Sequence, residues 1–350
     1  MQNTGSFKVR GAYIKIASLS EEDRACGVIA SSAGNHAQGV ALAAKAFGVP
    51  ATIVMPAGAP LSKVKATREL GANVVLHGSV YDDAYAEACR IQQETGATFI
   101  HPFDDPMVIA GQGTIGLEIM DDLPDVDTIV VPIGGGGLAS GVAAAVKMLH
   151  PNVKVIGVQA AGAAGMKASI DAGHVVSLDA AKTIMDGIAV KSGRTDLELR
   201  RGISTIVTVD DDEIAQAILF LMERGDDAER GAPVAAIMNR KFDVSGKVTA
   251  VISGGNIDVT MISRIIEKGL LRAGRMTKLR ILMQDRPGQL EMASRIIAAE
   301  GANVMVVHHD RTDVDLDIRD AILEITMETQ DRKHAQRVID ALRAGGFQVS

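Results

Sequence analysis

Residues 27–55 read GVIASSAGNHAQGVALAAKAFGVPATIVM, and they contain a strand, a polar loop, a helix and a second strand. Short β-rich runs at 28–30 and 51–55 flank a helical run that begins after Asn35. Gly48 follows the helical run, at the position where a left-handed residue commonly ends a helix. A strand, a crossover helix and a second strand in this order predict a parallel βα unit.

The same rhythm extends in both series of strands and helices that follow. The first series continues with strands at 73–76 and 98–100 and with helices after Ser62 and Tyr81. The second series has helices over 111–120 and 138–149 and strands over 128–132, 153–158 and 247–252. We therefore expect an α/β protein with two open parallel subdomains.

The pattern changes at residue 278. The predicted order there is βαββαβ, with strands at 278–283, 303–308, 321–327 and from Phe347, and helices at 287–300 and 332–344. Pro287 suits the first position of its helix. This order predicts a separate C-terminal α+β domain, an antiparallel sheet backed by two helices.

Composition excludes several classes of function. The 350 residues include 36 Lys+Arg and 43 Asp+Glu, giving a net charge of −7 without a basic block, so neither nucleic acid nor a membrane surface is an expected partner. The most apolar segment, 128–149, contains Pro132 and four consecutive glycines, which favour a strand, a turn and a helix over a membrane span. Cys26 and Cys89 are far apart in sequence, which argues against a disulfide framework and fits a reducing cytoplasm.

Two clusters of polar residues are interpreted as structural. Asp210 and Glu213 have the spacing of a capping box at a helix start, so they are not expected to be a catalytic pair. His308 and His309 are adjacent on a predicted strand and point to opposite faces, so they do not form a chelating pair. We predict no metal site.

Two loops have the features of anion sites. The loop SSAGNHAQG at 31–39 lies between a strand and a helix and directs free helix N-terminal amides at an anion, although such a turn is often only structural. The loop GGGGL at 134–138 follows a strand in the same way. A dinucleotide site is the alternative for the second loop, but the next strand ends in Gln159-Ala160-Ala161 and lacks the carboxylate that would bind a ribose. We therefore favour a single phosphate.

Residues 4–12 read TGSFKVRGA, and residues 186–190 and 253–256 read DGIAV and SGGN. In this order, together with the two loops, these motifs resemble those of fold-type II pyridoxal-phosphate enzymes, which are tryptophan synthase beta-like, and most closely those of the threonine dehydratases (threonine ammonia-lyases). The turn DRPGQL at 285–290 and GANV at 301–304, within the βαββαβ order, resemble an ACT domain, a small amino-acid-binding regulatory module.

The resemblance to fold-type II enzymes implies a role for each motif. Lys8 would be the catalytic lysine that binds pyridoxal 5′-phosphate covalently. Asn35 would bond the phenolic oxygen of the cofactor, and Ser253 would face its pyridine nitrogen. The complete implied cofactor site is Phe7, Lys8, Asn35, Gly134, Gly135, Gly136, Gly137, Leu138 and Ser253, and the implied substrate site is Ser32, Gly34, Asn35 and His36.

The implied activity is deamination of L-threonine to 2-oxobutanoate and ammonia by β-elimination, with a place in isoleucine biosynthesis. L-serine dehydratase is an alternative that differs only in room for one methyl group, and a non-catalytic amino-acid-binding sensor is another. Ala33 stands where the related serine racemases have a serine that transfers a proton. An alanine cannot do so, which favours elimination over racemisation.

The ACT resemblance implies a regulatory site for an amino acid such as isoleucine or valine, across a pair of domains in a homo-oligomer. Its candidate residues are Gly288, Gln289, Leu290 and Asn303. We expect a catalytic domain at 1–277, with a small subdomain over about 9–110 and a large one over about 111–277, and an ACT domain at 278–350. Family members usually carry further residues before the lysine motif, so the chain is expected to lack the N-terminal part of the large subdomain.

Overall fold

The computed structural model describes residues 3–193, 202–224, 231–254, 259–312 and 316–350. The chain forms two compact units, Met1–Asp258 and Val259–Ser350. The first unit contains two parallel sheets of four strands, and the second contains one antiparallel sheet of four strands. Among the described residues, no helix combines the length and the apolar character that a membrane span requires.

The first parallel sheet has the strand order β3-β2-β1-β4. Strand β1 is buried along its whole length, because helices cover both faces of the sheet. Gly48 has a φ of +65° and ends α3, which confirms the predicted helix stop. The strands are β1 Val28–Ser31, β2 Ala51–Met55, β3 Asn73–Leu76 and β4 Thr98–Phe99, and the helices are α1 Lys8–Ala17, α2 Glu21–Cys26, α3 Asn35–Phe47, α4 Leu61–Glu69 and α5 Tyr81–Thr95.

The second parallel sheet has the order β7-β6-β5-β8. Its strands are β5 Thr128–Pro132, β6 Lys154–Ala160, β7 Thr205–Val209 and β8 Val248–Ala250, and its helices are α6 Pro106–Asp122, α7 Gly137–Leu149, α8 Gly165–Ala172, α9 Asp211–Glu223 and α10 Gly231–Met238. Strand β7 has no counterpart among the predicted strands. It is an edge strand and only its last residue is fully buried, so its hydrophobic pattern is weak.

The predicted capping box is present at the start of α9. Asp210 Oδ1 accepts a hydrogen bond from the Glu213 N–H at 2.8 Å, and Glu213 Oε2 accepts one from the Asp210 N–H at 2.9 Å. Both carboxylates therefore satisfy helix N-terminal amides, which confirms a structural role for the pair.

The C-terminal unit has the sheet order β10-β11-β9-β12, with all pairs antiparallel. Alternate residues of β11 are buried, as in a strand with one face against the core. Its elements are α11 Val259–Ala273, β9 Met276–Gln284, α12 Gln289–Ala299, β10 Asn303–Asp310, β11 Asp320–Glu328, α13 Arg332–Ala344 and β12 Gln348–Val349. Helix α11 thus lies in this unit, so the unit begins before the boundary predicted at residue 278.

The helical position predicted for Pro287 is wrong. Helix α12 begins at Gln289, and Gly288 is its N-cap with a φ of +90°. A left-handed residue at the N-cap turns the chain sharply into the helix, which leaves Pro287 outside it.

Helices α6 and α7 pack with their backbones in contact. A Cβ atom on Gly141 of α7 would lie 2.3 Å from the Ile109 carbonyl oxygen and 2.7 Å from the Gly113 nitrogen of α6. Only glycine permits this approach. Since α7 begins at Gly137, directly after the loop at 134–136, the contact also fixes where that loop lies.

We expect the substitution Gly141→Ala to destabilise the protein, because the added methyl group must push two helix backbones apart. Overpacking of this kind costs about 1 to 3 kcal/mol in the free energy of unfolding, although alanine has the higher helix propensity. Chemical denaturation measures the change. Met148→Ala, at an exposed position of the same helix, is the control and should change stability by less than about 0.5 kcal/mol. An equal or higher stability of Gly141→Ala would contradict the close packing.

Candidate active site

Lys8 is a half-buried lysine at the first position of α1. Its Nζ donates a hydrogen bond to the Pro102 carbonyl oxygen at 2.6 Å and lies 5.2 Å from the centre of the Phe7 ring. Burial lowers the pKa of Lys8 to about 8, because the charged form loses its hydration. A larger share of the amine is therefore neutral near pH 7 than for an exposed lysine.

Helix α3 brings the loop at 32–35 to this lysine. A Cβ on Gly39 of α3 would lie 2.9 Å from both the Lys8 carbonyl carbon and the Val9 nitrogen, so the two helices cross at Lys8. Ser32 Oγ accepts a hydrogen bond from the Gly34 N–H at 3.1 Å, and Gly34 faces open space. The N-terminus of α3 is consequently open to a ligand.

The lysine motif (residues 4–12) and the serine turn (residues 253–256) pair through their backbones. The Phe7 N–H donates to the Ser253 carbonyl oxygen at 2.9 Å, and Ser6 forms an antiparallel bridge with Gly254. A Cβ on Gly254 would lie 3.1 Å from Asn35 Nδ2, so Asn35 also reaches this turn. The last two residues of the motif, at 255 and 256, lie outside the described residues.

The glycine loop lies against Phe103. A Cβ atom on Gly135 would lie 2.4 Å from the Phe103 ring, and one on Gly137 would lie 2.5 Å from the Phe103 carbonyl oxygen. Gly136 has a φ of +98° and is the N-cap of α7, whose first turn includes the buried Leu138. Gly134 contacts the DGIAV motif, since its Cβ would lie 3.1 Å from Ile188 Cα. Side chains are thus excluded from a loop that leads into a helix N-terminus.

Several buried polar atoms in the lysine motif and the α3 loop have no hydrogen-bond partner among the residues that the structure describes. Such groups cost free energy in the protein alone unless a water, an ion or a ligand satisfies them. They are Thr4 Oγ1, Ser6 Oγ, Ser31 Oγ, Asn35 Oδ1 and His36 Nδ1. A phosphate ester that carries an aldehyde, such as pyridoxal phosphate, fits this arrangement, with Lys8 for the aldehyde and the glycine loop for the phosphate.

The side chain of His36 is directed into the protein. Its Nε2 lies 2.7 Å from the Ile100 carbonyl oxygen, which requires the proton on Nε2. Burial and, secondarily, the nearby charge of Lys8 lower the pKa of His36 to about 3. His36 is therefore neutral, and its Nε2 links the α3 loop to the end of β4.

The four candidate effector residues do not come together within one chain. Asn303 pairs with Glu328 across the sheet, and Glu328 pairs with Met276 at the start of β9. Gly288 follows the other end of β9 and lies at the start of α12. The two positions are thus at opposite ends of the sheet. Asn303 Nδ2 donates to Glu328 Oε2 at 2.9 Å, whereas Gln289 and Leu290 begin α12.

The alternative of a dinucleotide site loses support at Gln159. This buried side chain donates to the Ala163 carbonyl oxygen at 3.2 Å and accepts from the Lys167 N–H at 2.8 Å. Both ends of its amide are used inside the protein, so it is not available to a ribose.

Sequence reasoning missed the turn between β4 and α6. Pro102 and Phe103 contact Lys8 and the glycine loop, and His101 lies between these residues and Ile100. The only signal in the sequence is a proline after a predicted strand, which indicates a turn and no chemistry. No group of His, Cys, Asp and Glu in the described ranges is arranged to hold a metal ion.

The chain is similar in sequence and fold to several known proteins. An L-threonine ammonia-lyase from Thermotoga maritima is 54% identical over 355 aligned residues, covering 100% of this chain and 88% of that relative. The processed form of threonine deaminase isoform 2 from Solanum lycopersicum has a TM-score of 0.73 at 39% identity, over 76% of this chain and 80% of that chain. Maize serine racemase has a TM-score of 0.71 at 35% identity, over 77% and 85%.

A family model described as "Pyridoxal-phosphate dependent enzyme" matches residues 1–254. This range contains the half-buried lysine, the α3 loop, the glycine loop and the first residues of the serine turn. The chain belongs to the family of pyridoxal-phosphate dependent enzymes.

Proposed function

We propose that this protein is an L-threonine ammonia-lyase, which converts L-threonine to 2-oxobutanoate and ammonia by β-elimination. The observation that carries the proposal is the position of the Lys8 amine, which has a lowered pKa and is held between the N-terminus of α3 and the turn that contacts the glycine loop. The 54% identity to a named L-threonine ammonia-lyase supports the choice of substrate.

Lys8 is the base of the proposed reaction. With a pKa of about 8, roughly a tenth of its amine is neutral at pH 7, against less than about a thousandth for an ordinary lysine. The neutral Nζ takes the proton from the α-carbon of the substrate. Pyridoxal phosphate, when bound, supplies an electron-withdrawing ring that stabilises negative charge at that carbon.

The remaining residues bind and orient. The free amides at the start of α3 and the Ser32 hydroxyl hold the substrate carboxylate by hydrogen bonds and the helix dipole, and Gly34 leaves room for it. The side-chain amide of Asn35 and the Ser253 side chain would hold polar atoms of the cofactor ring. The backbone of residues 134–138 holds the phosphate. His36 supports the loop at the start of α3 from inside the protein, because its Nε2 donates a hydrogen bond to the Ile100 carbonyl oxygen.

L-serine deamination is the alternative within the same chemistry. One methyl group in a pocket is worth about 1 to 3 kcal/mol of discrimination, so the ratio of kcat/KM for the two amino acids decides between them. The likeness to a serine racemase also raises racemisation. Ala33, whose methyl group carries no proton to exchange, favours elimination.

We expect Lys8→Ala to abolish ammonia release from L-threonine while the protein stays folded, because no other group replaces the amine. Borohydride reduction of the wild-type protein loaded with cofactor should leave one phosphopyridoxyl group on the Lys8 peptide, as measured by mass spectrometry. Lys45→Ala, at an exposed position of α3, is the control and should keep both activity and label. Substantial ammonia release by Lys8→Ala would refute the assignment. A wild-type protein that takes up no cofactor would instead favour the amino-acid sensor.

The uptake of pyridoxal phosphate by the apoprotein should speed up as pH rises and level off above about pH 8, because only the neutral Lys8 amine attacks an aldehyde. Stopped-flow absorbance measures the rate. A midpoint near the ordinary lysine value of about 10.4 would contradict the lowered pKa of Lys8.

The same pKa shift affects stability. Because the folded pKa of about 8 lies below the unfolded value, ionisation of Lys8 costs the apoprotein folding free energy, and the full cost is present below pH 8. The cost disappears as pH rises through about 10.4.

The C-terminal unit is proposed to be a regulatory ACT domain that binds an amino acid such as isoleucine or valine. Its βαββαβ order and the glycine N-cap of α12 support this role. Because Gly288 and Asn303 lie at opposite ends of one sheet, a joint site needs two copies of the unit, which favours a homo-oligomer.

The two cysteines, Cys26 and Cys89, are unpaired, which supports a reducing, cytoplasmic location.

Isoleucine or valine should change the activity toward L-threonine, and Leu290→Ala with Asn303→Ala should weaken that response at least about tenfold in effector concentration, since the contacts to the effector are lost. The measurement is kcat/KM over an effector titration. Met148→Ala, exposed in the first unit, is the control. A response that survives both substitutions unchanged would place the effector site elsewhere.

A further inference from the structure

The turn between β4 and α6 contains a histidine to which the proposed reaction gives no task. His101 Nδ1 accepts hydrogen bonds from two backbone amides, the Asp104 N–H at 2.7 Å and the Phe103 N–H at 3.3 Å. An asparagine or aspartate side chain makes the same pair of bonds, to the amides two and three residues onward, when it nucleates a turn. The imidazole here takes the place of that side-chain oxygen.

The ring of His101 is held between two aromatic neighbours. It meets the Phe103 ring edge-on, with centroids 4.8 Å apart at 85°, and the Phe99 ring at 6.4 Å and 47°. Phe99 in turn contacts Tyr85 at 5.5 Å. An aromatic ring therefore has a packing role at position 101 that is separate from the acceptor role of Nδ1.

The residues on either side of His101 accept hydrogen bonds from the side chains of His36 and Lys8. The Ile100 carbonyl accepts from His36 Nε2 at 2.7 Å, and the Pro102 carbonyl accepts from Lys8 Nζ at 2.6 Å. The proline ring fixes φ at Pro102 and restricts the backbone of His101 to extended conformations. The two bonds to Nδ1 then fix the peptide units that follow, so the direction of the Pro102 carbonyl is determined.

We propose that His101 is a positioning residue for Lys8: it holds the turn at 101–104 so that the Pro102 carbonyl orients the lysine amine. A neutral amine has two N–H bonds and one lone pair. When one N–H points at Pro102, rotation about Cε–Nζ is restricted and the lone pair is directed away from that carbonyl. The proton transfer proposed above requires such an orientation, so this inference rests on the proposed function.

Two substitutions at position 101 separate the two roles of the ring, and a third, at another histidine, is the control. His101→Phe keeps an aromatic ring and removes the acceptor, whereas His101→Asn removes the ring and restores an acceptor for the same two amides. We expect His101→Phe to lower kcat about tenfold or more, with KM within about twofold, and His101→Asn to recover most of kcat. His174→Phe is the control at an exposed histidine of the same unit and should change neither constant.

Amide hydrogen exchange of the apoprotein gives a readout that is independent of turnover. The Phe103 and Asp104 amides should exchange about tenfold faster in His101→Phe, because that variant has no acceptor for them. In His101→Asn, which restores an acceptor, they should exchange at the wild-type rate. If His101→Phe does not fold, His101→Ala, which adds no bulk, takes its place. A wild-type kcat in the variant without an acceptor, or a kcat in His101→Asn as low as in His101→Phe, would overturn the proposal.

The two hypotheses fail in different ways. A wild-type protein that carries the label on Lys8 but releases no ammonia from threonine or serine refutes the proposed function, and hydrogen exchange still tests the turn. Unchanged exchange at Phe103 and Asp104 in both the His101→Phe and the His101→Ala variants refutes the role of Nδ1, whatever the activity of the wild-type enzyme.

Discussion

The arrangement of the first unit depends on the hydrogen bond from the half-buried Lys8 amine to the Pro102 carbonyl. Removing a charged amine from water costs folding free energy unless the amine is hydrogen-bonded or loses its proton more easily. For Lys8, the Pro102 carbonyl accepts a hydrogen bond from Nζ and the pKa is lowered. That carbonyl belongs to the turn whose next residue, Phe103, lies beneath the glycine loop. Helix α3 approaches the lysine because Gly39 lacks a side chain. The anion-binding loops are thus positioned around the amine by direct contact.

Much of the fold was predictable because its elements differ in period and end in residues with restricted roles. The buried alternation of β11 and the left-handed Gly48 are examples. Strand β7 was not predicted, because an edge strand with mostly half-buried residues has little periodicity. The start of α12 was misplaced by two residues, because either Pro287 or Gly288 can begin a helix and only the observed φ distinguishes them.

The motifs of the site were visible in the sequence, but not the contacts that unite them. Lys8, Asn35 and Ser253 were identified by family motifs, and the backbone brings their segments together. Their roles remain predictions. Pro102 contributes through its backbone carbonyl, which any residue type has. The imidazole of His101 takes a place that asparagine or aspartate usually has in a turn, so composition and spacing give no hint of it. The separation of Gly288 from Asn303 follows from strand register, which the sequence does not specify beyond the alternation of faces.

The orphaned polar atoms near Lys8 have a consequence for the lifetime of the protein in a cell. A ligand that satisfies Asn35 Oδ1 and Ser6 Oγ binds the folded chain and not the unfolded one, so it shifts the folding equilibrium by mass action. A cofactor at a hundred times its dissociation constant adds about 2.7 kcal/mol of stability. The supply of the cofactor would thereby set the abundance of the enzyme as well as its activity, since chains without cofactor unfold more often and are degraded sooner.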